Sequence, residues 1–202
     1  AQKFADFRQA GINRLSSGIQ SFSGMHLRAL GRVHDDQQAH QAVKIARENF
    51  DNINLDLMYA LPGQTLEEAR NDIETACTQG VTHISAYHLT IEPNTLFHRY
   101  PPQLPDDEHA AAMQDMIEQI TASHQYRNYE TSAFARPGKE SRHNVNYWLF
   151  GDYLGIGAGA HGKISSGESG QILRRWKPKN PREYMANAGT LPGIGGDEFL
   201  TR

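Results

Sequence analysis

The order of hydrophobic and polar positions in the first 123 residues predicts three successive units, each a strand followed by helix. Strand patterns lie at residues 12–17, 52–59 and 81–91. Helix patterns lie at residues 23–30, 35–50, 65–77 and 106–123. Asp35 or Asp36 is expected to cap the second helix, and Thr65 with Glu68 has the spacing of a capping box. This order predicts parallel strands with right-handed connections.

Parallel units of this kind form either a barrel or an open doubly wound sheet, and a closed barrel needs roughly eight strands. We therefore predict an α/β fold in which residues 1–126 form an arc of a barrel or part of an open sheet. Residues 127–202 are predicted to form a small α+β pendant subdomain. Its predicted elements are an extended segment at 129–135, a short helix at 143–150, a glycine-spaced strand at 153–160 and a turn-rich tail from 165 onward.

Composition and charge narrow the functional classes. With 38% hydrophobic and 21% charged residues, the chain has the profile of a soluble globular protein. A net charge of -3 and the lack of a long basic run argue against nucleic acid as a partner. Cys77 is the only cysteine, which excludes an internal disulfide and favours a reducing, cytoplasmic setting. No apolar run approaches the roughly 20 residues that a transmembrane helix needs.

Polar residues at or near the ends of the predicted strands are the first candidates for a binding site, because ligands of parallel sheets bind there. These residues are Gln20, Asp56, His88 and Glu92. Gln20 and His88 could instead satisfy backbone groups in turns. Asp56 lies among apolar neighbours and needs a partner, which could be a structural ion pair as well as a ligand.

Two further motifs lie in the second part of the chain. The glycines of residues 155–162 have the GxGxxG spacing of a dinucleotide site, but no helix pattern follows them, so they are predicted to allow close backbone packing. His143, Tyr147 and Trp148 place an imidazole and two aromatic rings on about two helical turns. Such a group could bind haem through an axial nitrogen and aromatic walls, or it could be ordinary core.

Four segments together resemble the oxygen-independent coproporphyrinogen III oxidase-like radical S-adenosylmethionine (SAM) proteins, and in particular their haem-chaperone branch. The segments are residues 15–22, 30–34, 55–65 and 143–148. The resemblance implies a partial (β/α)6 barrel, SAM, a 4Fe–4S cluster on a CxxxCxxC motif, and haem. It also implies that Gln20, Arg32 and Asp56 contact SAM and that His143, with Tyr147 and Trp148, contacts haem.

The same resemblance predicts what the chain lacks. The cluster cysteines are expected to precede Ala1 and a helical domain to follow Arg202, so the chain is interpreted as a fragment with no cluster ligands. It should therefore be unable to cleave SAM, and its exposed barrel edge should favour self-association. The resemblance further implies delivery of haem to respiratory haem proteins.

Two other functions remain open at the level of sequence. The first is the coproporphyrinogen III oxidase itself, which decarboxylates a porphyrinogen oxidatively in haem biosynthesis. The second is an unrelated phosphate-binding barrel enzyme with Asp56 as its acid-base group, although the sequence contains no phosphate-binding loop.

Overall fold

The computed structural model describes residues 2–187 and the backbone of the strand at 196–201. The chain divides into two compact units between Glu140 and Ser141. The first unit contains α1 (Gln2–Gln9), β1 (Leu15–Gln20), α2 (Gly24–Ala29), α3 (Asp36–Asn49), β2 (Ile53–Tyr59), α4 (Leu66–Thr78), β3 (His83–His88), α5 (Leu96–Arg99), α6 (Asp107–Ser123), β4 (Arg127–Glu130) and β5 (Ala133–Ala135). The second contains α7 (Arg142–Trp148), β6 (His161–Ser165), β7 (Gln171–Trp176), α8 (Pro181–Ala186) and β8 (Gly196–Thr201).

The first unit is built on a five-stranded sheet in the order β1-β2-β3-β5-β4. Strands β1, β2 and β3 are parallel, which confirms the predicted strand and helix units. Strands β5 and β4 extend the sheet in antiparallel orientation beyond β3. The boundary predicted after residue 126 falls ahead of these two strands, whereas the compact units of the structure separate after Glu140.

Strand β2, the middle one of the three parallel strands, has two chemically different faces because side chains alternate along a strand. Leu55 and Leu57 are completely buried and belong to the hydrophobic core of the first unit. Asn54 and Asp56 occupy the alternate positions and carry the polar groups of the strand. The core is completed by buried residues of α3, α4 and α6, among them Ala39, Val43, Ala46, Ile73, Ala76, Met113 and Ile117.

Helix starts follow the capping signals in the sequence. Asp35 accepts a hydrogen bond from the backbone N–H of Gln38 at the start of α3, and the side-chain oxygen of Gln38 accepts one from the backbone N–H of Asp35, which completes a capping box. Thr65 and Glu68 form the predicted capping box at the start of α4. The backbone N–H of Thr65, which donates to the Glu68 carboxylate, lowers the pKa of that group. Both predictions are confirmed.

The second unit has an antiparallel sheet in the order β6-β7-β8 among the residues described. The predicted strand at residues 153–160 is wrong, because only Tyr153 pairs, through an isolated bridge to Lys163. The turn-rich tail is also corrected, because it includes β7. Close backbone packing of the glycines is confirmed: a Cβ atom on Gly155 would lie 2.4 Å from the His161 carbonyl oxygen.

The capping box of α4 yields a stability prediction. Thr65→Ala removes the acceptor of the Glu68 N–H and should lower the free energy of unfolding by about 1 kcal/mol in urea denaturation. Thr78→Ala is the matched control, since Thr78 lies in the last turn of the same helix and its hydroxyl bonds only to the Thr75 carbonyl. Equal losses in the two variants would contradict a specific capping contribution.

Candidate functional site

Strand β1 ends in an unusual backbone conformation that positions Gln20. Gln20 has φ 68°, a left-handed value that is uncommon for a residue other than glycine. Its side chain folds back over Gly18, where an added Cβ atom would lie 2.7 Å from Nε2 of Gln20. Gly18 is the register partner of Asp56 on β2, so the amide of Gln20 lies beside the strand position of Asp56.

A buried carboxylate from α4 holds the turn that follows Gln20. Asp72 accepts a hydrogen bond of 2.6 Å from the Ser21 hydroxyl and one of 2.7 Å from the Phe22 backbone N–H. Burial raises the pKa of Asp72, and these two donors act in the opposite direction by stabilising its charged form. The contact ties α4 to the carboxyl end of β1.

Asp56 is half-buried and accepts a hydrogen bond on each of its carboxylate oxygens. The Asn54 amide donates to Oδ1 at 2.8 Å, and the Ser16 hydroxyl donates to Oδ2 at 3.0 Å. Asn54 also donates to the Ser16 hydroxyl at 2.7 Å, which joins the three side chains in a ring of hydrogen bonds. No salt bridge to Asp56 is found among the described residues, so hydrogen bonds satisfy it in place of the ion pair considered from sequence.

The hydrogen bonds continue from Asn54 across the sheet. Oδ1 of Asn54 lies 2.6 Å from Nδ1 of His83, and it also accepts a bond of 3.1 Å from the Ser85 hydroxyl. Nε2 of His83 lies 2.7 Å from the Tyr129 hydroxyl oxygen. Sequence reasoning missed Asn54, His83 and Tyr129, although polar residues at alternate positions of β2 and β3 were the available signal.

The electrostatic environment keeps His83 neutral. Burial, and then the positive charge of Arg14, lower the pKa of His83 from 6.5 to about 4. Burial also lowers the pKa of Arg14, against the opposing effects of Tyr129, Asp56 and Tyr87. Nη1 of Arg14 is buried and has no hydrogen-bond partner among the described residues.

The loop that carries Arg32 is anchored at the carboxyl end of β1. The backbone N–H of Arg32 bonds to the Leu27 carbonyl, and the ring of His34 bonds to the Ile19 carbonyl at 3.2 Å. The Arg32 side chain itself is exposed. The structure therefore brings the loop of Arg32 to the strand that ends in Gln20.

His88 does not join the other predicted strand-end residues. His83 and Ser85 face Asn54, so alternation along β3 directs His88 to the opposite face of the sheet. There its ring lies 5.4 Å from that of Tyr59. A pocket of three strand ends that includes His88 is therefore a wrong prediction, and Gln20 and Asp56 are the two candidates that the sheet brings together.

The second unit presents the predicted imidazole and aromatic group on α7. The His143 and Tyr147 rings meet edge to face with centroids 4.7 Å apart, and Tyr147 makes a similar contact of 4.7 Å with Tyr153. Tyr147 is 45% exposed and Trp148 is 61% exposed, so these rings are not ordinary core. His143 is also exposed.

Comparisons with known proteins identify the family. The profile of the Radical SAM superfamily matches residues 1–76. Haem chaperone HemW of Escherichia coli K12 is 50% identical over 190 residues, which cover 92% of this chain and 49% of that protein. Residues 1–76 therefore belong to a radical SAM domain. This membership displaces the hypothesis of an unrelated phosphate-binding barrel enzyme.

A second curated relative and a solved structure are also similar to this chain. The haem chaperone HemW of Bacillus subtilis is 41% identical over 169 residues, covering 81% of this chain and 45% of that protein. The chain spans about half the length of the curated relatives it matches. The structure of coproporphyrinogen III oxidase (HemN) from Escherichia coli superposes with a TM-score of 0.79 and 20% identity, over 99% of this chain and 49% of that one. This superposition confirms the predicted fold.

The side chains of this chain could bind part of SAM, but they cannot supply the cysteine thiolates that an iron–sulfur cluster needs. Asp56 and Gln20 offer a carboxylate and an amide beside each other at the sheet. Cys77 is buried in α4, and burial raises the pKa of its thiol to about 12, so it is a core residue and not a thiolate ligand. Among residues 2–187 no group of three His, Cys, Asp or Glu side chains could hold a metal ion.

Among the described residues, no helix is both long enough and apolar enough to span a membrane.

The depressed pKa of His83 yields a pH prediction. The folded chain keeps His83 neutral down to about pH 4, whereas the unfolded chain protonates it near 6.5. The unfolded state then binds more protons in this window, so the free energy of unfolding should fall as the pH falls from 6.5 towards 4, by at most about 1.4 kcal/mol per pH unit. Urea denaturation at pH 7, 6 and 5 measures this slope.

His83→Gln removes the titrating group and should give a shallower slope than the unsubstituted chain. His98→Gln, a change at an exposed histidine, is the control and should keep the original slope. An unchanged slope in His83→Gln would contradict the proposed neutral state of His83.

Proposed function

We propose that this chain is part of a haem chaperone whose first unit contributes to a SAM pocket and whose second unit presents a haem ligand. The similarity to curated haem chaperones over 92% of the chain is the observation that carries this proposal. Because the chain spans about half of those proteins, the activity is proposed for the full-length protein. We further propose respiratory haem proteins as recipients and, from the single cysteine, a reducing cytoplasmic location.

In the proposed SAM pocket, each of the three residues has a distinct task. The Asp56 carboxylate can accept from both ribose hydroxyls, and the Gln20 amide can both donate and accept. The Arg32 guanidinium suits the carboxylate of the methionyl group. The chain supplies no cluster ligands, so we propose that it does not cleave SAM by itself.

In the proposed haem site, His143 is the axial ligand and Tyr147 and Trp148 provide aromatic walls. The exposure of these side chains supports access for a planar ligand. The edge contact with Tyr147 restrains the imidazole ring from one side. We also propose self-association through β1, which lies at an edge of the sheet among the strands described.

The alternative function is that of an oxygen-independent coproporphyrinogen III oxidase. The fold supports both functions, because the superposed oxidase shares the architecture at 20% identity. The much higher identity to haem chaperones, 50% for the protein from Escherichia coli, favours chaperone function.

Haem titration tests the proposed ligand. Haem added to the chain should produce a saturable shift of the Soret absorbance, and His143→Ala should weaken the affinity by about tenfold or more, because a coordinate bond is lost. His98→Ala, a substitution of another exposed histidine, should leave the affinity unchanged. A Soret shift that does not depend on His143 would exclude this residue as the axial ligand.

Product analysis separates the chaperone from the oxidase. The full-length protein, with SAM, a reductant and coproporphyrinogen III, should release no CO2 and form no decarboxylated porphyrinogen. The oxidase from Escherichia coli serves as the positive control. Turnover of the porphyrinogen by the full-length protein would favour the oxidase function.

A further inference from the structure

The geometry points to Asn54, His83 and Tyr129 as positioning residues that orient the Asp56 carboxylate towards a vicinal diol such as that of a ribose. This inference rests on the proposed SAM pocket and names the residues that make Asp56 selective for two adjacent hydroxyls. None of the three is inferred to touch the ligand itself.

The carboxylate of Asp56 is held at both oxygens and still has accepting capacity at both. Each carboxylate oxygen has about two lone-pair sites. One site on Oδ1 is used by the Asn54 amide and one on Oδ2 by the Ser16 hydroxyl. The carboxylate plane is therefore fixed from two sides, while each oxygen can accept one more hydrogen bond from a ligand.

The directions of the hydrogen bonds that join Tyr129, His83, Asn54 and Asp56 follow from which groups can donate. A carboxylate oxygen accepts from Asn54, so Nδ2 of Asn54 faces Asp56 and Oδ1 of Asn54 faces His83. Nδ1 of His83 must then donate, which leaves Nε2 of a neutral ring to accept from the Tyr129 hydroxyl. The bonds thus run in one sense, from Tyr129 through His83 and Asn54 to Asp56.

Burial makes this arrangement stiff. Asn54 is 3% exposed and His83 is 1% exposed, so neither can replace a lost partner with solvent easily. The Ser85 hydroxyl adds a second donor to Oδ1 of Asn54, which further opposes a flip of the amide. A flipped amide would present oxygen to oxygen at Asp56 and turn the carboxylate away from its present plane.

The test measures selectivity for a diol and not affinity alone. Adenosine and 2′-deoxyadenosine are titrated by isothermal calorimetry into the full-length protein that contains this chain, and the ratio of their dissociation constants is the readout. We expect a ratio of about tenfold or more, because one hydrogen bond to a charged group is lost with the 2′-hydroxyl. Asp56→Ala should bring the ratio close to one.

Tyr129→Phe removes the first donor of the hydrogen-bond series and should reduce the ratio by about threefold or more. Tyr126→Phe is the matched control, because it removes a buried tyrosine hydroxyl that donates to the Val81 carbonyl at 2.7 Å and takes no part in the series. Asn54→Leu should act like Asp56→Ala. Nitrogen NMR of the His83 ring should show Nδ1 protonated, and Tyr129→Phe should change this tautomer balance.

The outcomes separate the inference from the proposed function. An unchanged ratio in Tyr129→Phe, with diol selectivity present in the unsubstituted full-length protein, overturns the positioning role and leaves the SAM pocket intact. Equal loss of selectivity in Tyr129→Phe and Tyr126→Phe also overturns it, since general loosening would then explain the effect. Failure of the unsubstituted full-length protein to bind adenosine overturns both the positioning role and the pocket on which it rests.

Discussion

The hydrogen bond from the Asn54 amide to the Asp56 carboxylate is the constraint on which the polar face of the first sheet depends. Both residues lie on β2, which has neighbouring strands on each side. A half-buried carboxylate there is costly unless donors satisfy it. The two-residue period of a strand puts Asn54 beside Asp56, so one donor comes from the same strand at 2.8 Å. When the amide nitrogen of Asn54 donates to Asp56, the side-chain oxygen Oδ1 of Asn54 needs donors, which His83 and Ser85 on β3 supply.

The opposite face of β2 fixes the register of the strand and therefore the positions of Asn54 and Asp56. Leu55 and Leu57 are fully buried in the core that α3, α4 and α6 share. A shift of β2 by one residue would expose these leucines and bury the polar pair without partners. The register of β2 is thus fixed by hydrophobic burial, and the hydrogen bonds of Asp56 follow from that register. Asp72 acts in a similar way at the end of β1, where it ties the turn after Gln20 to α4.

Local signals allowed much of the fold to be predicted, whereas the partners of the site depend on pairing between distant segments. The capping box at Thr65 was readable because its two residues are three positions apart. Asp56 was recognisable because an acid among apolar neighbours needs partners. The hydrogen bonds that connect Asp56 to Tyr129 could not be predicted in the same way. Tyr129 lies 46 residues after His83 and is brought near it only by the antiparallel strands β4 and β5. The face occupied by His88 likewise follows from the register of β3 against β2, which composition does not specify.

In the second unit, too, polar contacts stabilise the segment that carries aromatic residues. Asp152 accepts from the Ser165 backbone and hydroxyl, and these donors, together with Lys163, lower its pKa. The buried Lys163 side chain forms an ion pair with Asp152, which neutralises its charge. The backbone of Lys163 forms a β-bridge with Tyr153. Tyr153 in turn contacts the ring of Tyr147 on α7. The ion pair between Lys163 and the partly exposed Asp152 therefore stabilises the segment that carries Tyr153, against which the Tyr147 ring packs.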